Sequence, residues 1–298
     1  MANTVDYTKM GEFITRESDR LVVESATQAK SLDYVNVLLG IKHKQAIPYL
    51  NSTVELAAAS CGWDPAGSDY FGERMIEVHP IEIEKEYCFY SFKPYVSNLQ
   101  MRFAAGLESM PWEEKVADAN VQATKAELEK ALWQGNSGAS ITGWLADAAA
   151  DSAATVTFNS GQTVVDKVDA MVAALPSKML AKNVTIFMSE SQMRDYILQS
   201  NATCCQTRPI QDAANKDFTY VGDSRIKLVG VAGLEDAQGD PMVATTIDGL
   251  TYGTDIEDSE ARYEWFEDKK ESKFLLRIMF VAGTAILLPS DVLVGKAE

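Results

Sequence analysis

The sequence is poor in the side chains on which hydrolytic catalysis depends. Its 298 residues include only two histidines, His43 and His79. A catalytic nucleophile needs a nearby base, and the chain contains no G-x-S-x-G segment. Both histidines lie in a stretch that is predicted below to project from the body, where a preorganised, water-excluded site is hard to build. We therefore expect no catalytic residues and no enzymatic activity.

Cysteine is also scarce, with four residues and no C-x-x-C pair. This usage indicates reduced thiols of a cytosolic protein, including the neighbours Cys204 and Cys205. A zinc site that combined both histidines with Cys61 and Cys88 would have suitable ligands, but their spacing matches no compact pattern. Phosphate-binding loops and an EF-hand loop are absent from the sequence as well. We expect neither a metal nor a cofactor.

Long apolar runs are missing too. The most hydrophobic stretch is "KFLLRIMFVAGTAILLPSDVLVG" at 273–295, and its longest part without charge or proline is 278–288. A membrane-spanning helix needs about 20 apolar residues, so a membrane partner is not expected. Apolar side chains fall on both faces of an extended chain, which favours a strand covered on both sides over a buried helix. We expect a bend at Gly283 and a second short strand in "TAILLP".

Positive charge is in deficit. Lys and Arg number 27 against 43 Asp and Glu, giving a net charge of -16 and a pI near 4.6. An acidic chain repels phosphate, so direct reading of a DNA sequence is not expected. Enclosing nucleic acid behind a weakly binding face remains compatible with this charge.

One long helix is clearly marked. Pro111, Glu113 and Glu114 suit the first turn of "WEEKVADANVQATKAELEKALWQ", and Gly135 suits its end. A narrow stripe at helical spacing predicts packing against a sheet. The stripe consists of Ala117, Val121, Thr124, Leu128 and Leu132.

The middle of the chain predicts a compact α/β unit. An amphipathic helix is expected over 164–175, and a capping-box pattern at Ser189 and Gln192 begins another helix. Strands are expected in "VTIFMS", "IKLVGV" and "MVATTI", with the last two joined by a turn.

An extended hairpin is predicted over 41–90. The segment "RMIEVHPIEIEKEYCFYSF" alternates strongly and changes phase at His79-Pro80, as a strand does at a bulge or bend. Met75 to Phe92 would extend about 60 Å, and a two-stranded ribbon of that length is not stable alone in water. Neighbouring subunits should therefore support it. The residues expected to make these contacts are His43, Tyr49, Trp63, Tyr70, Phe71, Arg74, Ile76, His79 and Ile81.

Taken in order, the chain resembles the major capsid protein of tailed phages, of the Hong Kong 97 type. The local likeness lies in "IKLVGVAGLEDAQGDPMVATTIDGLTYGTDIED" and "RIMFVAGTAILLPSDVLV". The resemblance implies an α+β fold with an N-terminal arm, an extended β-hairpin (E-loop), a P-domain with a long spine helix and a sheet, and a compact α/β A-domain.

The resemblance also implies boundaries for these parts. The arm would be 1–40, the E-loop 41–90, the P-domain with its spine helix 91–149, the A-domain 150–252, and the return strands of the P-domain 253–298. The Lys–Asn crosslink of some members has no match in this sequence.

The implied function is structural. Pentamers and hexamers of the chain would form an icosahedral shell around double-stranded DNA, in the virion, after assembly in the host cytoplasm. Its partners would be copies of itself, scaffolding, portal and decoration proteins, and DNA held without sequence-specific binding. Two alternatives stay open. An encapsulin-like compartment shell would have a docking groove for cargo peptides, and a soluble α/β enzyme or binding protein would have an occupied pocket.

Overall fold

A computed structural model of the chain describes residues 8–55, 67–106, 111–159, 161–202, 210–211, 217–220, 224–255, 262–268 and 270–297. The helices are α1 (Thr8–Thr27), α2 (Phe89–Ala104), α3 (Trp112–Gln134), α4 (Trp144–Ala150), α5 (Val164–Ala174), α6 (Ser177–Leu180) and α7 (Glu190–Ala202). Short 3-10 turns lie at Lys30–Tyr34, Ala232–Leu234 and Pro289–Asp291. The strands are β1 (Asn36–Leu39), β2 (Lys44–Val54), β3 (Gly67–Glu77), β4 (His79–Cys88), β5 (Ala154–Phe158), β6 (Val184–Ser189), β7 (Ile210–Gln211), β8 (Phe218–Thr219), β9 (Ile226–Val231), β10 (Met242–Thr245), β11 (Leu250–Thr254), β12 (Arg262–Asp268), β13 (Lys273–Ile286) and β14 (Val292–Ala297).

A five-stranded sheet is organised by β13. β4 pairs with it antiparallel from Lys273 to Ala282. On the other edge, β12 pairs with the first half of β13 and β11 with the second half, and β1 lies parallel to β11. The sheet therefore joins segments that are far apart in the sequence.

A seven-stranded sheet forms the α/β unit, in the order β5-β14-β10-β6-β9-β8-β7. Neighbouring residues of β6 point to opposite faces. Ile186 and Met188 enter a core with α5 and α7, whereas Phe187 enters the core shared with α3. Both faces of this sheet are thus covered, which accounts for strands that are apolar throughout.

The predicted long helix is confirmed with the same limits, 112–134. Pro111 precedes its first turn, and Gly135 ends it with a φ of 80°, a conformation that glycine adopts at low cost. The predicted stripe is buried throughout. α3 packs on α1, on α4 and on the 3-10 turn at 232–234, so it links the two sheets.

The N-terminal region, expected as an arm over 1–40, contains a long helix in its described part. α1 is a 20-residue helix that packs on β12 and α3 of its own chain. Its Met10, Ile14 and Leu21 are fully buried. These buried side chains lie on one face of α1, so the helix is stabilised by the surface on which it packs.

The predicted hairpin limits of 41–90 are wrong. β2 pairs with β3, but β4 pairs with β13 and so belongs to the five-stranded sheet. The phase change at His79-Pro80 marks the point where the chain leaves the ribbon and enters that sheet. Alternation alone reports a strand and does not identify its partner.

The C-terminal stretch also needs correction. β13 is one continuous strand up to Ile286, and β14 joins the seven-stranded sheet, so 253–298 does not complete a single sheet. Leu275 lies on a face of β13 that is partly open rather than covered. Strands β9 and β10 are separated by β6 and are not a hairpin. Neither α2 nor α4 was predicted.

Gly283 serves close packing instead of a bend. A Cβ atom there would lie 2.1 Å from the Glu77 carbonyl oxygen and 2.9 Å from the Val78 Cα. The junction between β3 and β4 therefore rests directly on the backbone of β13, which only glycine permits.

We predict that Gly283→Ala destabilises the free subunit by about 2–4 kcal/mol, because the methyl group collides with backbone that cannot move aside. The measurement is urea unfolding followed by circular dichroism. Gly11→Ala is the control, since no atom lies within 4 Å of its Cβ position in α1, and it should stabilise by about 0.5–1 kcal/mol. Equal effects of the two substitutions would contradict the close approach at Gly283.

Candidate intersubunit contact surface

The ribbon of β2 and β3 is the candidate contact surface. Each strand has 11 residues, in continuous register from Lys44 opposite Glu77 to Val54 opposite Gly67. Among the described residues these strands pair only with each other. Eleven residues extend about 36 Å, and a lone two-stranded ribbon is marginal in water.

One face of the ribbon carries an apolar stripe. The register places Leu50 opposite Phe71 and Ala46 opposite Met75 on this face, with Val54 near the far end. Phe71 is 78% exposed and Val54 80% exposed. A contiguous exposed apolar surface of this kind indicates an interaction site.

The opposite face is stiffened within the ribbon. The Tyr49 ring lies over Gly72, where a Cβ atom would be 2.5 Å from the ring. The same ring approaches Tyr70, with centroids 6.2 Å apart. This packing keeps the two strands aligned without help from the body.

The root of the ribbon, the end at which Lys44 lies opposite Glu77, is fixed to the rest of its own chain. Ile76 is fully buried in a small cluster with Ile41, Val78 and Val281. Arg74 Nη1 lies 2.6 Å from an Asp151 carboxylate oxygen at the end of α4. The ribbon therefore leaves the body in a defined direction.

A half-buried acid supports this root. The Thr284 hydroxyl donates to the Asp147 carboxylate at 2.9 Å and accepts from the Gly143 N–H at 3.2 Å. Burial raises the pKa of Asp147, the Thr284 hydrogen bond lowers it and the nearby charge of Asp151 raises it, which together bring the pKa to about 6. Asp147 is therefore partly uncharged in mildly acidic solution.

The predicted contact residues fall into different settings. Tyr70 and Phe71 are exposed on the ribbon, the His43 side chain is exposed at its root, and Tyr49 is half-buried. His79 lies on β4, 4.0 Å from Glu77 across the junction. Trp63 lies outside the described residues.

Two members of the predicted set, Ile76 and Ile81, are instead buried in the core of their own chain. Arg74 pairs with Asp151 of its own chain, and its contact with a neighbouring subunit stays a prediction. The set also missed exposed residues of the apolar stripe, namely Leu50, Val54 and Met75. Their signal was available, because Ala46, Leu50 and Val54 share one face of an alternating strand.

The described residues contain no group of three or more His, Cys, Asp and Glu that could hold a metal ion. His79 and Cys88 stand at opposite ends of β4, and Cys61 lies outside the described ranges. Cys88 is an exposed free thiol whose pKa is lowered by hydrogen bonds from the backbone N–H groups of Tyr90 and Ser91. Within the part of the chain that the structure describes, no helix has the length and apolar character needed to cross a bilayer.

Two buried carboxylates, Glu129 and Asp291, are engaged in structural contacts. Glu129 of α3 accepts hydrogen bonds from the backbone N–H and the hydroxyl of Ser31, and burial raises its pKa. Asp291 lies 2.8 Å from Lys182 Nζ. These groups hold the N-terminal segment and β14 in place.

Solved structures of phages and of a GTA particle have this arrangement. A chain of the satellite phage P4 procapsid, solved with the size determination protein Sid, matches with a TM-score of 0.60 and 10% identity over 100% of this chain and 93% of its own. The fold is the Hong Kong 97-type capsid fold. A chain of Mycobacterium phage Ogopogo matches with a TM-score of 0.61 and 12% identity over 92% of both chains. The capsid of an empty GTA particle matches with a TM-score of 0.52 and 12% identity over 90% of this chain and 96% of its own.

These matches confirm the predicted fold class. The similarity to these proteins is one of three-dimensional structure and not of sequence. No protein-family model matches the sequence, and no curated protein matches it.

We predict that Asp147→Asn stabilises the free subunit above pH 6. A carboxyl with a raised folded-state pKa binds its proton more tightly in the folded state, so its contribution to stability falls as pH rises from about 4 to about 6. The amide stays neutral and keeps a hydrogen-bond partner for Thr284. After discounting for solvent screening, the gain at pH 7.5 should be about 1 kcal/mol and should vanish near pH 4.

Thermal unfolding across this pH range measures the effect. Asp166→Asn is a control of opposite sign, because the Thr163 capping box lowers the pKa of Asp166. That substitution should destabilise at neutral pH and become neutral as pH falls through the lowered pKa. A pH-independent effect of Asp147→Asn would contradict the assignment.

Proposed function

We propose that this chain is the major capsid protein of a tailed phage and assembles into pentamers and hexamers of an icosahedral shell around double-stranded DNA. The observation that carries the proposal is the match of essentially the whole chain, ribbon and both sheets together, to subunits of phage shells. The role is structural and non-enzymatic.

The ribbon gives this proposal a physical basis. Its apolar stripe has no partner among the described residues of the chain, so the free subunit exposes surface that association would bury. A closed shell needs each subunit to contact neighbours through different surfaces. A projecting ribbon supplies contact area that a compact subunit lacks.

The charge is consistent with a container. With a net charge of -16, the protein has no excess of positive charge to hold phosphate tightly, and packed DNA would remain free to slide. We propose that DNA is enclosed without sequence-specific contacts. Scaffolding, portal and decoration proteins are the expected partners, with assembly in the host cytoplasm and residence in the virion.

Assembly is the direct test. We predict that the expressed full-length chain forms capsomers or closed particles that are visible by electron microscopy and light scattering, because the apolar stripe drives association. A scaffolding protein should be supplied from the parent phage if the chain alone forms only capsomers. A stable monomer under both conditions would contradict the proposal, and native particles that lack DNA would favour a compartment shell.

We further predict that Phe71→Ser raises the protein concentration required for assembly by about tenfold or more, since it removes the largest exposed ring of the stripe. Phe71→Tyr is the matched control, because it keeps the ring and should assemble nearly as the wild type does. Light scattering against concentration provides the measurement, and circular dichroism checks that both subunits fold. If the two variants assembled equally well, the apolar stripe would not be part of the contact between subunits.

A further inference from the structure

The short 3-10 turn at Lys30–Tyr34 lies between the two sheets. The chain enters the turn from α1, which packs on β12, and leaves it into β1, which pairs with β11. Both flanking elements therefore belong to the five-stranded sheet and its helices. Two side chains of the turn reach the seven-stranded sheet instead. The Lys30 Nζ donates to the Gly230 carbonyl of β9 at 2.6 Å, and the Tyr34 ring meets Phe187 of β6 edge-on, with centroids 6.1 Å apart.

Two buried carboxyl groups hold this turn from opposite sides. On α3, Glu129 accepts hydrogen bonds from the Ser31 N–H, at 3.2 Å, and from the Ser31 hydroxyl. Beside β8 of the seven-stranded sheet, Asp217 accepts a hydrogen bond from the Tyr34 hydroxyl. Only 4% of Glu129 and 1% of Asp217 is exposed. The turn and these two carboxyl groups together form a clasp between α3 and the seven-stranded sheet.

A second contact between α3 and the seven-stranded sheet lies at the end of the helix. A Cβ atom at Gly233 would collide with the Glu129 carbonyl oxygen, so the 3-10 turn at 232–234 rests directly on the backbone of α3. The Gln134 side-chain amide donates to the carbonyls of Gly233 and Glu235 at 2.8 and 2.9 Å. Backbone and amide groups do not titrate, so this contact keeps its strength across the pH range and can serve as a pivot when the clasp opens.

Protonation of Glu129 strengthens the clasp without rearranging it. Burial raises the pKa of Glu129, against its hydrogen bonds with Ser31 and the charge of Lys30. The protonated acid keeps both contacts, since its carbonyl oxygen accepts from the Ser31 N–H while its O–H donates to the Ser31 hydroxyl oxygen. That hydroxyl oxygen also accepts from the Trp133 indole N–H at 2.7 Å, and it has lone pairs for both donors.

Asp217 responds to protonation in the same direction. Burial raises its pKa, the charges of Lys30 and Lys227 lower it, and the charge of Asp33 raises it. Its Oδ1 atom has no hydrogen-bond partner in the described structure, so the ionised carboxyl is incompletely compensated in the closed clasp. The charge of Lys30 acts on both carboxyl groups and favours their ionised forms.

We infer that the turn at 30–34 is a proton-controlled clasp between the two sheets, closed in acid and released as the pH rises. A carboxyl group whose pKa is raised in the closed clasp binds its proton more tightly there than in the hydrated, open state. Its contribution is fully present below the ordinary carboxyl pKa of about 4 and is lost as the pH rises through the raised value. On opening, Glu129 and Asp217 regain hydration, and the seven-stranded sheet can turn about the Gly233 contact. The inference concerns a single subunit, so it can fail while the proposed function stands.

Amide hydrogen exchange of the peptide 28–35, measured on the full-length protein, reports opening of the clasp. Wild type and variant are compared at the same pH, so the intrinsic pH dependence of exchange cancels. Glu129→Gln mimics the protonated acid, because its amide oxygen accepts from the Ser31 N–H and its NH₂ donates to the Ser31 hydroxyl oxygen. The variant peptide should exchange at least about threefold more slowly than the wild type at about pH 8, and the difference should shrink as the pH falls.

A purely structural role of the Glu129 charge makes the opposite prediction. The ionised carboxylate would then hold Ser31 more strongly than an amide does, and Glu129→Gln would exchange faster than the wild type at every pH. That result overturns the inference, and so does equal exchange of the two proteins across the pH range. Circular dichroism checks that the variant is folded.

Lys30 provides a second variant with an effect of opposite sign. Lys30→Met removes the charge that favours ionised Glu129 and Asp217, so its exchange relative to the wild type should rise with pH, by at least about threefold between pH 5 and pH 8. Lys125→Met is the matched control, because Lys125 Nζ also holds this segment, 2.6 Å from the Gln28 side-chain oxygen. Its exchange relative to the wild type should change by the same factor at every pH. A pH-independent ratio for Lys30→Met overturns the inference, even if Glu129→Gln does not fold.

Discussion

The pairing of β13 along both of its edges is the constraint on which the rest of the structure depends. One edge takes up β4, and the other takes up β12 and β11, so a single strand holds together segments from three regions of the chain. Gly283 has no side chain, so the β3–β4 junction packs directly against the backbone of β13. β13 therefore also fixes the root of the ribbon. The position and direction of the ribbon are therefore set by a sheet that forms within a single chain.

Several charged side chains connect separate segments of the fold. Glu129 holds the Ser31 turn against α3, Asp151 holds Arg74 at the ribbon root, and Lys182 joins Asp291 beside β14. Glu129, Asp151 and Asp291 each have a partner on a different segment of the fold, and buried pairs of this kind favour a specific arrangement more than they add net stability. Exposed apolar side chains lie elsewhere, for example on the ribbon and on α2, where Tyr90 and Met101 face outward.

Much of the architecture was predictable from the sequence where local signals were strong. α3 was predicted with correct limits because Pro111 and Gly135 bound it, and β6 and β9 were predicted because both are short apolar runs between turns. α2 was missed, since Pro94 lies inside it and only three buried residues define its packed face.

The sequence did not predict which strands pair with each other in the sheets. Ile76 and Ile81 alternate like ribbon residues, yet both enter the core of the body, because β4 finds β13 nearly 200 residues further along the chain. The sheet to which β14 belongs was also not predictable, because its "VLVG" segment is apolar enough for either sheet. Alternation gives the periodicity of a strand, while long-range packing selects its neighbour.

The ribbon also bears on the geometry of the association proposed above. A contact between its apolar stripe and a different surface of a second molecule would be heterologous and would repeat around an axis until a ring closes. An isologous dimer through the outer edge of β2 is disfavoured, because Pro48 has no N–H and interrupts that edge. Burial of Ile76 and the Arg74–Asp151 pair make the root of the ribbon rigid, so the root would set the angle between neighbouring molecules.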